Sequence, residues 1–455
     1  MQSFSHISKL PQTLLDTLSQ LHYETMTPIQ ESAIPVLLEG SDIIAQAKTG
    51  SGKTAAFGIP LILAVNTKKR NPQALVLCPT RELADQVAKE LRRLARYKEN
   101  LKILTLCGGT PMRPQIASLE RGAHILIGTP GRIQDHLSRE TIYLKDIHSL
   151  VLDEADRMLD MGFYDEIKKI ISNLPGKRQG MLFSATYPDN IQKLSREILT
   201  NPTMIKVDAE HSDLVIHEVG LEATEQEKEN VLLRILKSYK PETVIIFCNT
   251  KAETVSLTDF LRDKHFTALD LQGDLDQRER NETLLKFANG SVRIMVATDV
   301  ASRGLDVKNV SMVINYDLPH DPEVYTHRIG RTARAGAEGM AISLYLPRQK
   351  EKLLEMAPAI EILSPESLRI DKNFMLESDK ATLCIDGGKK NKLRPGDILG
   401  ALSKEIGIPG DHIGKIDIFD YQAYVAIDKK SIREAFEGLK KGKVKGRKFR
   451  VWWLD

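Results

Sequence analysis

A chain of 455 residues that is 42% hydrophobic and 27% charged is expected to fold into two or three water-soluble domains, which sets aside fibrous and disordered classes. The net charge of +3 is unevenly spread: residues 379–455 carry 17 Lys and Arg against 11 Asp and Glu, which leaves the first 378 residues net negative. The opening MQSFSHISKLPQ lacks the apolar core of a secretory signal, and the most apolar stretch, 57–65, is far too short to span a bilayer, so a cytoplasmic protein without membrane contact is expected. Cys78, Cys107, Cys248 and Cys384 have no paired spacing, which argues against a zinc site and for a reducing compartment.

Residues 30–205 repeat a rhythm of short apolar strand, turn and amphipathic helix, with strands expected at 42–48, 74–79, 102–107, 124–129, 149–153 and 180–184. Such alternation builds a parallel sheet covered on both faces. Between the first strand and its helix stands Ala47-Lys48-Thr49-Gly50-Ser51-Gly52-Lys53-Thr54. A glycine-rich turn there lets backbone N–H groups converge on a phosphate. Lys53 can reach the outer phosphates and the Thr54 hydroxyl can hold Mg²⁺. A nucleoside triphosphate is the expected ligand.

The strand 149–153 runs into Asp153-Glu154-Ala155-Asp156. Carboxylates at the carboxyl end of such a strand sit on the ligand edge of the sheet. Asp153 is placed to hold Mg²⁺, directly or through water, and Glu154 to orient and activate an attacking water. A solvated acidic turn is the bland alternative.

Residues 218–365 repeat the rhythm, with strands expected at 243–248, 267–271, 293–298, 312–317 and 339–345, but carry no phosphate loop of their own. Thr250-Lys251-Ala252-Glu253 fits a capping box that starts a helix straight after a strand. Residues 206–217 and 366–378 read as linkers. The pattern then changes to β-α-β-β-α-β over 379–455, the split βαβ arrangement used by RNA-recognition modules. The basic excess peaks at 440–450, which contains no acid, and suggests a nucleic-acid footprint through Lys443, Lys445, Arg447 and Lys448. The loop Lys389–Arg394 is a second basic candidate. The expected architecture is thus α/β, with two RecA-like parallel-sheet domains in tandem (1–205 and 218–365) followed by an α+β domain like an RNA-recognition module (379–455).

In order along the chain come Thr27-Pro28-Ile29-Gln30, the loop 47–54, Pro79-Thr80-Arg81-Glu82-Leu83, Gly108-Gly109, Thr129-Pro130-Gly131-Arg132, Asp153–Asp156 and Ser184-Ala185-Thr186. The second stretch adds Ile246–Thr250, Ala297-Thr298-Asp299, Ser302–Asp306 and His327–Arg334. Together they resemble the DEAD-box RNA helicases over residues 1–375, and the tail resembles the DbpA-type RNA-binding domain. The resemblance implies an ATP hydrolase and monomeric RNA helicase that separates strands locally. It implies that Tyr23 and Gln30 select adenine, and that Gly304 and Asp306 contact the nucleotide from the second domain. It makes Arg331 and Arg334, three apart and so expected on one helical face, arginine fingers. Ser184 and Thr186 would couple the acidic motif to RNA, although capping a helix is nearly as good a reading of those hydroxyls. Pro79, Thr80, Arg81, Gly109, Thr129 and Arg132 would line the RNA path in the first domain. Thr250, Gln272, Gly273, Arg278, Thr298 and Asp299 would do so in the second. His22 stands where the family has glycine. For the tail the resemblance implies a 23S ribosomal RNA hairpin in large-subunit precursors. An RNA-clamping assembly factor without productive unwinding is the alternative, and a DNA helicase is disfavoured by the motif set.

The tail lacks the usual aromatic pair on its sheet. Tyr424 holds one stacking position and Cys384 the other, so stacking of bases on the sheet face is not expected.

Overall fold

The computed structural model describes residues 2–47, 50–207, 216–299, 310–332 and 338–454. It contains two compact units, divided near residue 212.

The first unit is built on a parallel sheet of β1 (Ile43–Gln46), β2 (Ala74–Leu77), β3 (Ile103–Leu106), β4 (Ile125–Gly128), β5 (Ser149–Leu152), β6 (Gln179–Ser184) and β7 (Thr203–Lys206). Their order across the sheet is β3-β4-β2-β5-β6-β1-β7. β2, β4 and β5 are buried at every position, because helices cover both faces and leave no side to face water. The helix Arg81–Leu94 shows how the cover is made. Ala84, Val87, Ala88, Leu91 and Leu94 recur every three or four residues and are all buried. Leu91 packs so closely on Gly58 that a Cβ there would come within 2.4 Å of it.

The second unit holds a sheet of β8 (Ile216–Glu222), β9 (Val244–Cys248), β10 (Ala268–Leu271), β11 (Ile294–Thr298), β12 (Met312–Asn315), β13 (Gly339–Tyr345) and β14 (Glu361–Leu363), in the order β10-β11-β9-β12-β13-β8-β14. β7, β8 and β14 are strands that the sequence pattern does not single out. All three lie at or beside a sheet edge, where half-exposed residues blur the apolar signal. Residues 366–378, expected as a linker, run back along this unit and bury Leu368 and Leu376 in its core.

The tail forms an antiparallel sheet of β15 (Lys380–Ile385), β16 (Ile413–Ile418), β17 (Ala423–Asp428) and β18 (Val451–Trp453), ordered β16-β17-β15-β18. The helix expected at 395–404 is α-helical only to Gly400 and continues as a π-helical turn, Ala401–Ile406. Strand alternation sorts its two faces. Leu383, Ile385, Val425 and Ile427 point into the tail's own core. Thr382, Cys384 and Tyr424 point the other way, and that face is not open. Leu285, from the helix Gln277–Ala288 of the preceding sheet domain, packs against Cys384, Tyr424 and Leu454. Beside it, Asn289 Nδ2 donates to Thr382 Oγ1 at 2.9 Å, and Ser291 and Thr382 hydroxyls are 2.8 Å apart. Arg293 pairs with Asp379 at 2.9 Å at the rim. The face on which an RNA-recognition module stacks bases is thus occupied by protein.

Candidate functional site

Among the expected site residues, Lys48, Thr49, Gly304, Asp306 and Arg334 lie outside the described residues. Those of the first sheet that follow its strands divide along its carboxyl edge. The phosphate loop follows β1, the acidic turn follows β5 and Ser184–Thr186 follows β6, all neighbours in the sheet. Pro79–Arg81 follow β2, Gly109 follows β3 and Thr129–Arg132 follow β4, which make up the other half.

On the nucleotide half, Gly50 and Gly52 have φ of +87° and +92°, the left-handed region that glycine enters without strain. A Cβ on Gly52 would also lie 2.5 Å from Gln30 Nε2. The Gln30 amide is held at both ends. Nε2 donates to Gly52 O at 3.1 Å and Oε1 accepts from Thr27 N at 3.0 Å, which ties the expected adenine reader directly to the phosphate loop. The Tyr23 hydroxyl donates to Glu90 at 2.6 Å, and its ring meets Phe4 edge-on. His22 has φ of +62°, so the turn before Tyr23 is one where glycine is the easy choice. Lys53, the first residue of the helix Lys53–Ala64, donates from Nζ to Ala47 O at 2.9 Å. Thr54 follows it in the same first turn.

Asp153 is buried, and its Oδ1 has no hydrogen-bond partner. Burial raises its pKa to about 6 against the opposing pull of Lys53. An oxygen left unsatisfied in a buried carboxylate suits a hard cation such as Mg²⁺. Glu154 sits at φ +53°, and Arg157 Nη1 donates to its Oε2 at 2.7 Å within a buried ion pair. Asp156 makes the link to β6. Its Oδ2 accepts from Ala185 N at 2.9 Å, Thr186 N at 3.0 Å and Thr186 Oγ1 at 3.3 Å. Burial alone would push this carboxyl up, but Lys53 and the N–H groups of Arg157 and Thr186 hold it below the usual carboxylate range. Ser184 is buried at the end of β6. Asp156 and Arg157 carry no separate role in the sequence reading; the four-residue acidic quartet was the signal for the first, and nothing marks the second.

On the other half, Thr80 Oγ1 accepts from Leu83 N at 3.2 Å and so starts the helix that Arg81 opens. The Arg81 guanidinium lies against Gly108, where a Cβ would approach it to 3.1 Å, and Gly109 has φ of +72°. Thr129 precedes the helix Pro130–Ser138, from which Arg132 Nη1 donates to Thr110 O at 3.1 Å and Gln115 Oε1 at 3.0 Å. Pro79 is buried beside Thr80.

Comparison with known proteins decides the family. Residues 27–194 match the DEAD/DEAH box helicase family, 227–336 the helicase conserved C-terminal domain and 382–452 the DbpA RNA binding domain. The chain is 48% identical over 453 residues to ATP-dependent RNA helicase DbpA of Escherichia coli K12, covering 99% of both chains. The chain belongs to the DEAD-box helicases. It is 39% identical over 464 residues to DbpA of Bacillus subtilis, covering 96% of each. It also resembles the solved structure of S. cerevisiae Dbp5 bound to RNA and ADP BeF3, with a TM-score of 0.72 and 31% identity over 80% of this chain and 95% of that one. It is an ATP-dependent RNA helicase with a DbpA-like tail. No helix among the described residues is long and apolar enough to cross a membrane.

In the helicase's second sheet the expected RNA residues again cluster on one half, after β10, β11 and β9. Thr250 Oγ1 caps the helix Lys251–Asp263 by accepting from Glu253 N at 3.2 Å. Lys251, one residue on, lies against Gly273 and pairs with Asp274, whose N–H donates to Gln272 Oε1 at 2.6 Å. Thr298 closes β11. Asp299 pairs with Arg328. Its Oδ1 accepts from Arg328 Nε at 2.6 Å and its Oδ2 from Arg328 Nη2 at 2.7 Å. Arg328 further donates to Asp317 O at 2.6 Å, Asn315 Oδ1 at 3.2 Å and Asn249 Oδ1 at 3.0 Å, so all five guanidinium donors are used. Sequence reading passed over it because a buried arginine is legible only through partners far away in the chain. Beside it, Lys228 Nζ reaches Asp317 Oδ1 at 2.6 Å, and burial together with the adjoining Asp317 carboxyl raises Glu253 to about 8.

Arg331, expected on a helical face, lies outside the helix. The helix ends at Ile329, and Arg331 lies in the buried turn after Gly330, where Thr332 Oγ1 donates to Val310 O at 2.6 Å and draws the chain aside. Arg278 pairs with Glu282 at 2.8 Å on the helix that meets the tail. In the tail, Lys443, Lys445, Arg447 and Lys448 are all exposed. Lys445 is partly spent on Asp397, at 3.1 Å.

Proposed function

We propose that this helicase separates strands locally in structured RNA and that its tail directs it to a hairpin of 23S ribosomal RNA in large-subunit precursors, acting as a cytoplasmic monomer. Support for targeting comes from the DbpA RNA-binding match and from the tail's excess of 17 basic over 11 acidic residues. In the nucleotide site, the loop 47–54 cradles the phosphates of ATP and Lys53 bonds the outer ones. Thr54 and Asp153 would hold Mg²⁺, which when bound offsets charge on those phosphates. Glu154 orients the attacking water, and Arg157 holds its carboxylate at the turn. Tyr23 and Gln30 recognise adenine, with Gly304 and Asp306 contributing from the second helicase domain. Arg331 and Arg334 stabilise transition-state charge when RNA and ATP bring the units together.

The single observation that carries this reading is Asp156. One carboxylate oxygen holds both backbone N–H groups of Ala185 and Thr186 and the Thr186 hydroxyl, in the turn directly after the acidic pair. A change at the γ-phosphate therefore moves the Ser184–Thr186 turn through one shared group. In the RNA path, Pro79, Thr80, Arg81, Gly109, Thr129, Arg132, Thr250, Gln272, Gly273, Arg278, Thr298 and Asp299 line the groove for phosphates and 2′-hydroxyls, so the core has little base preference.

The test is ATPase half-activation by a 23S hairpin fragment and by an unrelated RNA of equal length, with and without residues 379–455. The full chain should respond to the hairpin at far lower concentration, and the truncated chain should not discriminate. Equal half-activation by both RNAs in the full chain would refute the targeting.

A further inference from the structure

Three loops of the tail meet at one end of its sheet: 386–394 after β15, the turn 419–422 between β16 and β17, and 442–450 before β18. They are sewn together by backbone. Lys389 N donates to Phe419 O at 2.8 Å, Lys390 N to Asp420 O at 2.9 Å and Asp386 N to Arg450 O at 2.8 Å. Lys445 Nζ reaches Lys392 O at 2.8 Å. Glycine makes the junction possible, since a Cβ on Gly388 would lie 2.2 Å from Phe419 O.

This end has two properties that the sequence does not place together. The three loops carry nine Lys and Arg against two Asp, and every one of the nine is exposed. The turn at their centre displays two aromatic rings to solvent: Tyr421 is 68% exposed and Phe419 49%. Neither belongs to the tail's core, as a ring on a hairpin turn normally would if packing were its purpose. Phe419 is steadied edge-on against Tyr424, with ring centroids 5.6 Å apart. Tyr424 itself is buried, because Leu285 covers the sheet face. The surface on which this kind of domain ordinarily stacks bases is closed, and the exposed rings lie instead among cations at its end.

We propose that Tyr421, with Phe419 beside it, is a stacking platform for an unpaired base of RNA, and that the surrounding Lys389, Lys390, Lys443 and Arg447 hold the flanking phosphates. The inference rests on the reading that the tail binds RNA and adds the place and the chemistry. The ligand class is a single-stranded loop or bulge, because a paired base has no free face to offer a ring on a turn. The backbone bonds from the neighbouring loop hold the turn in shape before RNA arrives, so little ordering entropy is lost on binding.

The experiment uses the full chain without nucleotide and a fluorescently labelled RNA hairpin, followed by anisotropy over a range of salt. A second probe is the same hairpin with abasic loop nucleotides. Stacking contributes about 1–3 kcal/mol per base, so Tyr421→Ala should weaken hairpin binding about tenfold, equally at every salt concentration. Tyr421→Phe keeps the ring and should restore binding. The abasic hairpin should bind the parent weakly and be indifferent to Tyr421→Ala. A Lys443→Gln/Arg447→Gln/Lys448→Gln variant should instead flatten the salt dependence, by about 0.7–0.9 in log–log slope per lost phosphate contact. If Tyr421→Ala binds within twofold of the parent while the charge variant weakens, the platform is overturned and tail binding stands. If neither variant changes affinity, the platform falls together with the reading that the tail binds RNA.

Discussion

The two parallel sheets share one strand order in outline but treat their carboxyl edges in opposite ways. The first leaves its edge unfinished. Asp153 Oδ1 has no partner, and the glycines of the phosphate loop stand at positive φ around a cradle. The second finishes its edge from within. Arg328 uses five donors on five acceptors, and Lys228 closes on Asp317. Groups left unsatisfied in a fold mark where a ligand completes the bonding. Groups satisfied by protein mark a scaffold that holds other residues in place. Among the described residues, the first edge keeps an unsatisfied buried carboxylate oxygen, while the second ties its buried charges to one another.

Breaking the comparison at Arg331 should give the largest effect. Arg331→Ala should lower RNA-stimulated kcat by roughly 10³-fold or more, the scale of an arginine finger, while ATP binding measured by fluorescent-nucleotide titration stays unchanged. An unaltered kcat would assign Arg331 to the scaffold instead.

Arg328→Ala attacks the scaffold itself. It strands the Asp299 carboxylate and three further acceptors, and losing one partner of a buried ion pair costs about 3–5 kcal/mol. Denaturant unfolding of the second unit's transition should show the loss, with the first unit's transition unmoved. A small effect would mean that water replaces the guanidinium readily.

The subtlest probe is pH. Glu253 titrates near 8, raised by burial and by the adjoining Asp317 carboxyl. A carboxyl whose folded pKa lies above its unfolded value favours the fold when protonated. Stability from this group is therefore present at low pH and is lost as pH rises from the ordinary carboxylate range through about 8. Glu253→Gln keeps the neutral form at every pH. Its melting temperature relative to the parent should climb as pH rises from about 5 to about 8 and level off above that, and a flat difference would show that Glu253 ionises freely.

Most of the nucleotide edge was legible in the chain. Ala47–Thr54 and Asp153–Asp156 are each contiguous, so strand, turn and ligand groups arrive together in one short segment. The RNA residues were legible as an ordered set of short motifs. Their division between two halves of the sheet was not, because it depends on the crossing order β3-β4-β2-β5-β6-β1-β7. Arg331 shows a limit of spacing rules: its spacing suggested a helical face, but the helix ends at Ile329 and Arg331 lies in the turn beyond it. The burial within the stretch expected as a linker at 366–378 was hidden for a related reason. Its few apolar residues look sparse in sequence, yet Leu368 and Leu376 are enough to anchor it in a core that other segments have already built.

By itself, then, the sequence determined what the chain could bind in its first domain, the alternation that makes parallel sheets, and the basic charge of the tail. These are local properties, set by residues adjacent in the chain and by patterns of period two and 3.6. Only the tertiary structure decided that Arg328 holds Asp299, that Leu285 closes the tail's sheet face, and that Tyr421 stands among lysines from two other loops. Each of those joins residues tens of positions apart, and their meeting depends on how whole elements pack rather than on what any one segment prefers.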